Sequence, residues 1–198
     1  MMMPGFNLGD INQHGYVVTS VEKAALWYAE KVGAGPFYVG EFDLDNYRFL
    51  GEPQRCRLRI GTGYWGALML EFIELIDAEA TLYARSLPGE EGRINHFGIN
   101  VADIDAWVAE RSLEGSIIQS GEMRRSGVRF VYLDSIFPGG IHLELVQGPP
   151  QMLARAAAMA EASAKWDRRD PIRPMSALAT EVIPAVGAES TNGTDQRL

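Results

Sequence analysis

Four polar residues, at matching places in two halves of the chain, have the side chains needed to hold a divalent cation. They are Gln13, Glu74, His96 and Glu144. One imidazole, two carboxylates and an amide oxygen suit zinc, nickel, manganese or iron, with coordination positions left for water or substrate. Two carboxylates facing an enclosed cleft repel each other and lose hydration, a cost that a cation removes. These residues predict a metal centre.

The matching places come from an internal repeat. The stretch INQHGYVVTSVEKA from Ile11 aligns without a gap on INHFGINVADIDAW from Ile94, which puts Gln13 on His96. The ends of the two halves also match, IELID on LELVQ, so that Glu74 falls on Glu144. The alternative, four solvated side chains on an exposed sheet face, does not account for this shared register.

Strand parity predicts which face each residue occupies. Neighbouring side chains of a strand point to opposite faces. Phe97 and Ile99 share the face covered by a helix, so His96 turns inward, and Gln13 follows it by register. The same rule turns Glu144 inward between Leu143 and Leu145, and Glu74 inward between Ile73 and Leu75. His14 has the opposite parity to Gln13 and is predicted to be structural.

The predicted fold is α+β, with two βαβββ modules that pair into a curved mixed sheet, an inner cleft and outer helices. Each first strand leads into a helix with an N-cap residue, Ser20 or Asp103, and each helix stops near a glycine, Gly33 or Gly115. The expected organisation is an N-terminal arm at 1–10, a first module at 11–78, a linker helix at 79–93, a second module at 94–148, a C-terminal helix at 149–166 and an extended or disordered tail at 167–198.

The composition narrows the classes of partner. Of 198 residues, 46% are hydrophobic and 22% charged, which is typical of a soluble globular domain. A net charge of −8 argues against binding to nucleic acid. No apolar run approaches the length of a membrane span, and no signal peptide is visible, so a cytoplasmic location is expected. The single cysteine, Cys56, excludes an internal disulfide.

The repeat and its polar residues resemble the vicinal oxygen chelate superfamily, which includes glyoxalase I, methylmalonyl-CoA epimerase, fosfomycin-resistance transferases and extradiol dioxygenases. The resemblance covers residues 11–148, through INHFGINVADIDA, GGIHLELVQ and the weaker INQHGYVVTSVEKA. It implies that Gln13, Glu74, His96 and Glu144 are metal ligands, in an order similar to that of zinc glyoxalase I. It also implies a homodimer. The apolar stripe of the C-terminal helix would pack either on the body of the chain or on the second subunit.

The sequence departs from individual members of that superfamily. Val17 and Ala78 stand where glyoxalase I has the arginine and asparagine that hold glutathione, which argues against glutathione. The strand RCRLRIG offers arginines where the epimerase has its second base, which argues against two-base racemisation. Extradiol dioxygenases need two histidine ligands, and only His96 has the right parity unless His14 or His142 moves in.

The expected activity is that of an isomerase, epimerase or lyase that acts on a carbonyl-containing small molecule through a metal-stabilised enediolate. Glu144 would be the general base. Weaker candidates for substrate binding are His142, Arg57, Arg59 and Tyr132, and the aromatic residues predict an aromatic or hydrophobic substrate. The alternatives are a metal-free small-molecule binding protein of the resistance type, an extradiol-type dioxygenase and, more weakly, a transferase.

Overall fold

The computed structural model describes residues 11–86, 92–124 and 126–178. The predicted N-terminal arm, part of the predicted linker and the end of the predicted tail lie outside these ranges. Within them the chain is a mixed α+β structure built on one ten-stranded sheet.

The first module begins with strand β1 (Gln13–Val17) and helix α1 (Val21–Trp27). The helix continues through a wider turn at Tyr28–Val32 and ends at Gly33, whose φ of 76° is left-handed. Four strands follow: β2 (Phe37–Phe49), β3 (Glu52–Pro53), β4 (Cys56–Trp65) and β5 (Leu68–Ala78). The linker contains one helical turn, α2 (Leu82–Arg85).

The second module repeats this order. It comprises β6 (His96–Asn100), α3 (Ile104–Ala109), β7 (Ile117–Met123), β8 (Val128–Phe137) and β9 (Ile141–Gln147). Helix α3 ends at Ala109, so the prediction that it stops at Gly115 is wrong; Gly115 lies in a separate 3-10 turn at Glu114–Ser116. Helix α4 (Pro150–Ala164), strand β10 (Ile172–Pro174) and a 3-10 turn at Met175–Ala177 complete the described chain.

The predicted helix starts are observed in both modules. The Ser20 hydroxyl accepts a hydrogen bond from the amide N–H of Lys23, and the Asp103 carboxylate accepts one from Ala106. Each cap satisfies an N–H group that the first helical turn leaves without a partner. Both helices therefore begin directly after the first strand of their module, which places them on the outer face of the sheet.

The sheet closes on itself. Its strand order is β10-β2-β4-β5-β1-β6-β9-β8-β7, and β2 also pairs with β7. All strands in this order except β10 therefore form a closed ring of eight. The modules meet where β1 runs antiparallel to β6. Within each module the first and last strands are parallel, β1 with β5 and β6 with β9.

Apolar residues pack on both sides of this ring. One cluster lies inside it, and includes Leu58, Ile60, Ile73, Phe130 and Tyr132. Two further clusters lie between the sheet and the outer helices, one containing Leu70 and Phe72 beneath α1 and the other containing Leu143 and Leu145 beneath α3. The inside of the ring is thus partly core.

The C-terminal segment packs across the ring. Met159 of α4 is buried with Tyr38 and Leu178, and the Ser163 hydroxyl donates to the backbone carbonyl of Tyr64. Beyond the helix, β10 adds to β2 as a parallel strand, within the segment predicted as a tail. Among the described helices, none has the length and apolar character needed to cross a membrane.

Candidate metal centre

The centre lies where β1 pairs with β6. Gln13 lies opposite Gly98 in this antiparallel pair, and Gly15 lies opposite His96. A Cβ atom at Gly15 would stand only 1.8 Å from Cε1 of His96, and one at Gly98 would stand 3.0 Å from Cβ of Gln13. Each strand therefore supplies a glycine that makes room for the functional side chain of the other.

The two carboxylates come from the last strands of the modules. Glu71 on β5 lies beside Gly15, and Glu144 on β9 lies beside Gly98, so the two glutamates occupy equivalent places in the repeat. Both side chains turn inward, toward the same point between β1 and β6. Each module thus contributes one residue from its first strand and one from its last.

The four side chains meet at hydrogen-bonding distance. The amide Nε2 of Gln13 donates to Oε2 of Glu71 at 3.0 Å and to Oε2 of Glu144 at 2.9 Å. Nε2 of His96 lies 3.3 Å from each of the same two oxygens. The ligand atoms offered by Glu71, His96 and Glu144 all lie within 4.8 Å of one another, which is close enough to share one ion. We call Gln13, Glu71, His96 and Glu144 the quartet.

A second layer of residues orients the imidazole. Nδ1 of His96 lies 3.1 Å from Oδ1 of Asn95, while Nδ2 of Asn95 donates to the hydroxyl of Ser86 at 2.7 Å. Because the Asn95 amide nitrogen is used as a donor, its oxygen accepts from N–H at Nδ1 of His96. In neutral His96 this leaves the lone pair on Nε2, directed at the carboxylates, which is the arrangement of a metal-binding histidine.

Burial makes the quartet electrostatically demanding. His96 is 0% exposed, Glu144 6%, Gln13 8% and Glu71 9%. Burial lowers the pKa of His96, but the negative charges and hydrogen bonds of Glu144 and Glu71 outweigh it and raise the pKa to about 9. Burial, together with repulsion from Glu144, raises the pKa of Glu71. The site therefore favours positive charge at its centre, supplied either by a protonated imidazole or by a cation.

Two tyrosines close the inner side of the quartet. Tyr132 packs edge-on to the His96 ring at 5.0 Å between centroids, and its hydroxyl lies 3.2 Å from that of Tyr83. Both are fully buried, and burial reinforced by the charge of Glu144 raises the pKa of each phenol. They are consequently neutral walls that hold the imidazole in place.

On its other side the quartet opens into a cavity of about 570 Å³. Gln13, Glu71 and Glu144 line one end of it. The remaining wall is mostly apolar and includes Phe42, Ile60, Phe130, Val146 and Leu178. A cavity of this size is typical of small-molecule sites, in which a few polar groups converge within an apolar wall.

Three of the four predicted ligands meet here, and the fourth does not. Glu74 lies on the outer face, where its carboxylate accepts from the amide N–H of Val21 at 2.9 Å and pairs with Arg59 at 3.3 Å. Glu71 takes the place predicted for Glu74. The two are three residues apart and so point to opposite faces of β5. The prediction failed because Ile73, taken to lie under the helix, belongs to the core inside the ring.

A signal for Glu71 was present in the sequence. Leu70 and Phe72 flank it as Leu143 and Leu145 flank Glu144, and aligning these triplets instead of the segment from Ile73 gives the observed register. Asn95, which orients the imidazole, was aligned with Asn12 without being assigned a role.

The weaker candidates lie away from the cavity. His142 pairs with Asp134 at 3.6 Å, and Arg57 and Arg59 pair with Glu41 on the outer surface. Tyr132 contacts the quartet only from the core side. His14 lies on the outer face against Phe97, 4.9 Å between ring centroids, so the described structure brings no second histidine to the quartet.

No protein-family model matches the chain, and neither does any curated protein. Among solved structures it is similar to methylmalonyl-CoA epimerase from Mycobacterium tuberculosis, with 18% identity over 77% of this chain and 97% of that one and a TM-score of 0.49. A hypothetical protein from Bacillus halodurans has 18% identity over 70% and 94% of the two chains, TM-score 0.49. A methylmalonyl-CoA epimerase in complex with methylmalonyl-CoA and NH4+ has 18% identity, the same coverage and a TM-score of 0.44. The order of ligands typical of zinc glyoxalase I stays a prediction.

Proposed function

We propose that this chain is a metal-dependent enzyme of the isomerase or lyase type that acts on a carbonyl-containing small molecule. The quartet would hold the cation, with Glu71 in the role expected of Glu74. The observation that supports this most directly is the meeting of two buried carboxylates and a correctly oriented imidazole at one end of a large cavity. Zinc, nickel, manganese and iron all suit these donors.

The residues fit such an ion, with one adjustment. Glu71, Glu144 and Nε2 of His96 present lone pairs toward one another, whereas Gln13 presents its NH2 group. Rotation of that amide about its last side-chain bond exchanges NH2 for the oxygen, which is the atom a cation binds. When bound, a divalent cation would polarise a carbonyl and stabilise the negative charge that develops as an adjacent C–H loses its proton.

Glu144 would take that proton. Its carboxylate is buried yet lines the cavity, so a substrate carbon can approach it without intervening bulk water. Its neighbour across the strand pair, Tyr132, is a neutral core residue and does not compete for the proton. Without a cation, Gln13 and His96 contact the carboxylate of Glu144 directly. With a cation bound, these two residues would act as ligands, and the pairing of β9 with β6 and β8 would keep Glu144 in position while the proton is carried and returned.

The cavity favours transfer of the proton by one base. Among the described residues that line it, the ionisable ones are Glu71, Glu144, Arg124 and Arg155. Among the described lining residues no carboxylate outside the quartet faces the cavity, and Ile60 and Phe130, on the strands next to Glu71 and Glu144, are apolar. A proton is therefore removed and returned on one side of the substrate, which suits isomerisation or elimination better than two-base racemisation.

The first test is elemental analysis of protein purified without chelator, followed by titration with zinc, nickel, manganese and iron. The proposal expects about one equivalent of metal per chain in the wild type and its loss in His96→Ala. Glu144→Gln, under conditions where metal is retained, is expected to abolish proton exchange from the carbon next to a carbonyl. Normal exchange by that variant would show that Glu144 is not the base.

One observation favours a second candidate function, a metal-free binding protein. Gln13 donates to both carboxylates, and the pKa of His96 is raised to about 9, so a protonated imidazole can balance one of the two negative charges without a metal. The raised pKa of Glu71 favours protonation of the other carboxylate. The cavity would then sequester an apolar compound without chemistry. Protein that contains no metal, and that gains no thermal stability when any of the four metals is added, would favour this second function.

A further inference from the structure

Methionines line much of the cavity. Eight methionines occur in the sequence, three of them at Met1–Met3. All five that remain line the cavity: Met69, Met123, Met152, Met159 and Met175. They come from β5, β7, α4 and the segment after β10, so no local sequence feature explains their convergence. Methionine is flexible and polarisable, and surfaces rich in it adapt to apolar ligands of varied shape.

The C-terminal segment forms the outer wall opposite the quartet. Pro149, Met152, Ala156 and Met159 line the cavity from the start and the inner face of α4. Met175 and Leu178 extend the wall beyond β10. The segment is fixed to the ring through buried Met159 and the β10–β2 pairing. The wall therefore belongs to the folded chain and limits the length of any ligand that reaches the quartet.

The volume indicates a substantial ligand. A molecule of liquid water occupies about 30 Å³, so about 570 Å³ corresponds to roughly 15 to 20 non-hydrogen atoms. A three- or four-carbon carbonyl compound would leave most of the apolar wall without contacts. The charged side chains of Arg124 and Arg155 lie at exposed positions, so the interior away from the quartet is mostly apolar, with the buried hydroxyl of Thr62 directed to the sulfur of Met159.

We propose that the ligand is a carbonyl compound with a long aliphatic or polycyclic body, which lies against the methionines between the ring and α4. Ala156 sets the permitted length. The assignment of the carbonyl group to the quartet end rests on the proposed function, whereas the apolar body and the role of Ala156 rest on the cavity alone.

Ala156 is the position at which α4 leaves space. It lies four residues after Met152 and three before Met159, and so shares their face of the helix. All three line the cavity, but only the alanine is small. Its neighbour Ala157 is exposed, which provides a control substitution on the same helix.

The test measures the affinity of straight-chain methyl ketones of four to twelve carbons by calorimetry, with and without zinc. Burial of each methylene is expected to tighten binding about threefold to fourfold until the cavity is full. Ala156→Phe should weaken the twelve-carbon ketone at least tenfold more than the four-carbon ketone. Ala157→Phe should have the same affinities as the wild type. If Ala156→Phe unfolds the protein, Ala156→Leu replaces it and should weaken the long ketones more than the short ones, by a smaller factor.

Two features of these data separate the two proposals. The rise of affinity with chain length measures contact of the ligand with the apolar wall. An increase in affinity on adding zinc that is equal at every chain length measures binding of the carbonyl group at the quartet. A chain-length dependence without the zinc gain would support the cavity assignment and contradict the proposed function. Affinity that does not rise with chain length, or equal effects of Ala156→Phe and Ala157→Phe, would overturn the cavity assignment even if zinc binds.

Discussion

Substitution of Gly15 and Gly98, the two glycines where β1 pairs with β6, should destabilise the protein to different degrees. In Gly15→Ala the new Cβ would lie 1.8 Å from Cε1 of His96, far inside contact distance, so the ring must leave its place. In Gly98→Ala the new Cβ would lie 3.0 Å from Cβ of Gln13, which a shift of a few tenths of an ångström relieves. Gly115 has open space around its Cβ position and no positive φ, so Gly115→Ala is the matched control.

The magnitudes follow from what each substitution displaces. Overpacking a core costs about 1–3 kcal/mol, and breaking a buried charged pair costs about 3–5 kcal/mol. Gly15→Ala does both, because His96 is 0% exposed and contacts both carboxylates. We expect a loss of roughly 4 kcal/mol, which lowers the Tm of a domain of this size by about 10 °C. Gly98→Ala should cost about 1 kcal/mol, and Gly115→Ala should cause no loss.

The assays are thermal denaturation and zinc titration of the three variants beside the wild type. Affinity for zinc should fall in the same order as the Tm, most in Gly15→Ala and not at all in Gly115→Ala. A Gly15→Ala variant with the Tm and zinc affinity of the wild type would mean that His96 does not lie against Gly15, and the geometry of the quartet would then be wrong.

Other predictions concern the carboxylates, the second layer and pH. Glu71→Gln should reduce bound metal sharply, whereas Glu74→Gln should keep it and lose at most about 1 kcal/mol of stability with the charge that pairs with Arg59, because the glutamine oxygen can still accept from the amide N–H of Val21; metal analysis and denaturation of the pair decide which glutamate is the ligand. Asn95→Leu, which leaves Nδ1 of His96 without an acceptor, should weaken metal binding by about 10- to 100-fold in competition with a chelator, and an unchanged affinity would contradict its orienting role. In metal-free protein the pKa of His96 rises from 6.5 unfolded to about 9 folded, so its stabilisation, about 3 kcal/mol, is complete below pH 6.5 and lost as the pH rises through 9. A Tm of the metal-free protein that rises over this interval would refute that assignment, and saturating zinc, which needs the neutral imidazole, should weaken or reverse the fall.

The local features of the fold could be predicted from the sequence. The gap-free repeat correctly predicted that Gln13 and His96 share the inner face, because both strands have one face under a helix and one face toward the cleft. Ser20 and Asp103 cap their helices as predicted, since a cap depends only on residues within one turn. His96 and Glu144 were placed on the correct face for the same local reason.

Features set by distant contacts could not be predicted in this way. β5 carries apolar residues on both faces, Phe72 under the helix and Ile73 inside the ring, so alternation alone does not identify its inner face. The closure of the ring depends on β2 extending over 13 residues to reach β7, a pairing between modules that no periodicity records. The strand at Ile172–Pro174 is defined by its partner Phe37–Val39 and has no pattern of its own.

The reciprocal glycines mean that neither half of the chain contains the complete centre. Residues 11–86 provide Gln13, Glu71 and the cradle for the imidazole, and residues 92–178 provide His96, Glu144 and the cradle for the amide. Neither half contains more than two of the donors, so a cation bound by the quartet would link the two halves and stabilise their pairing.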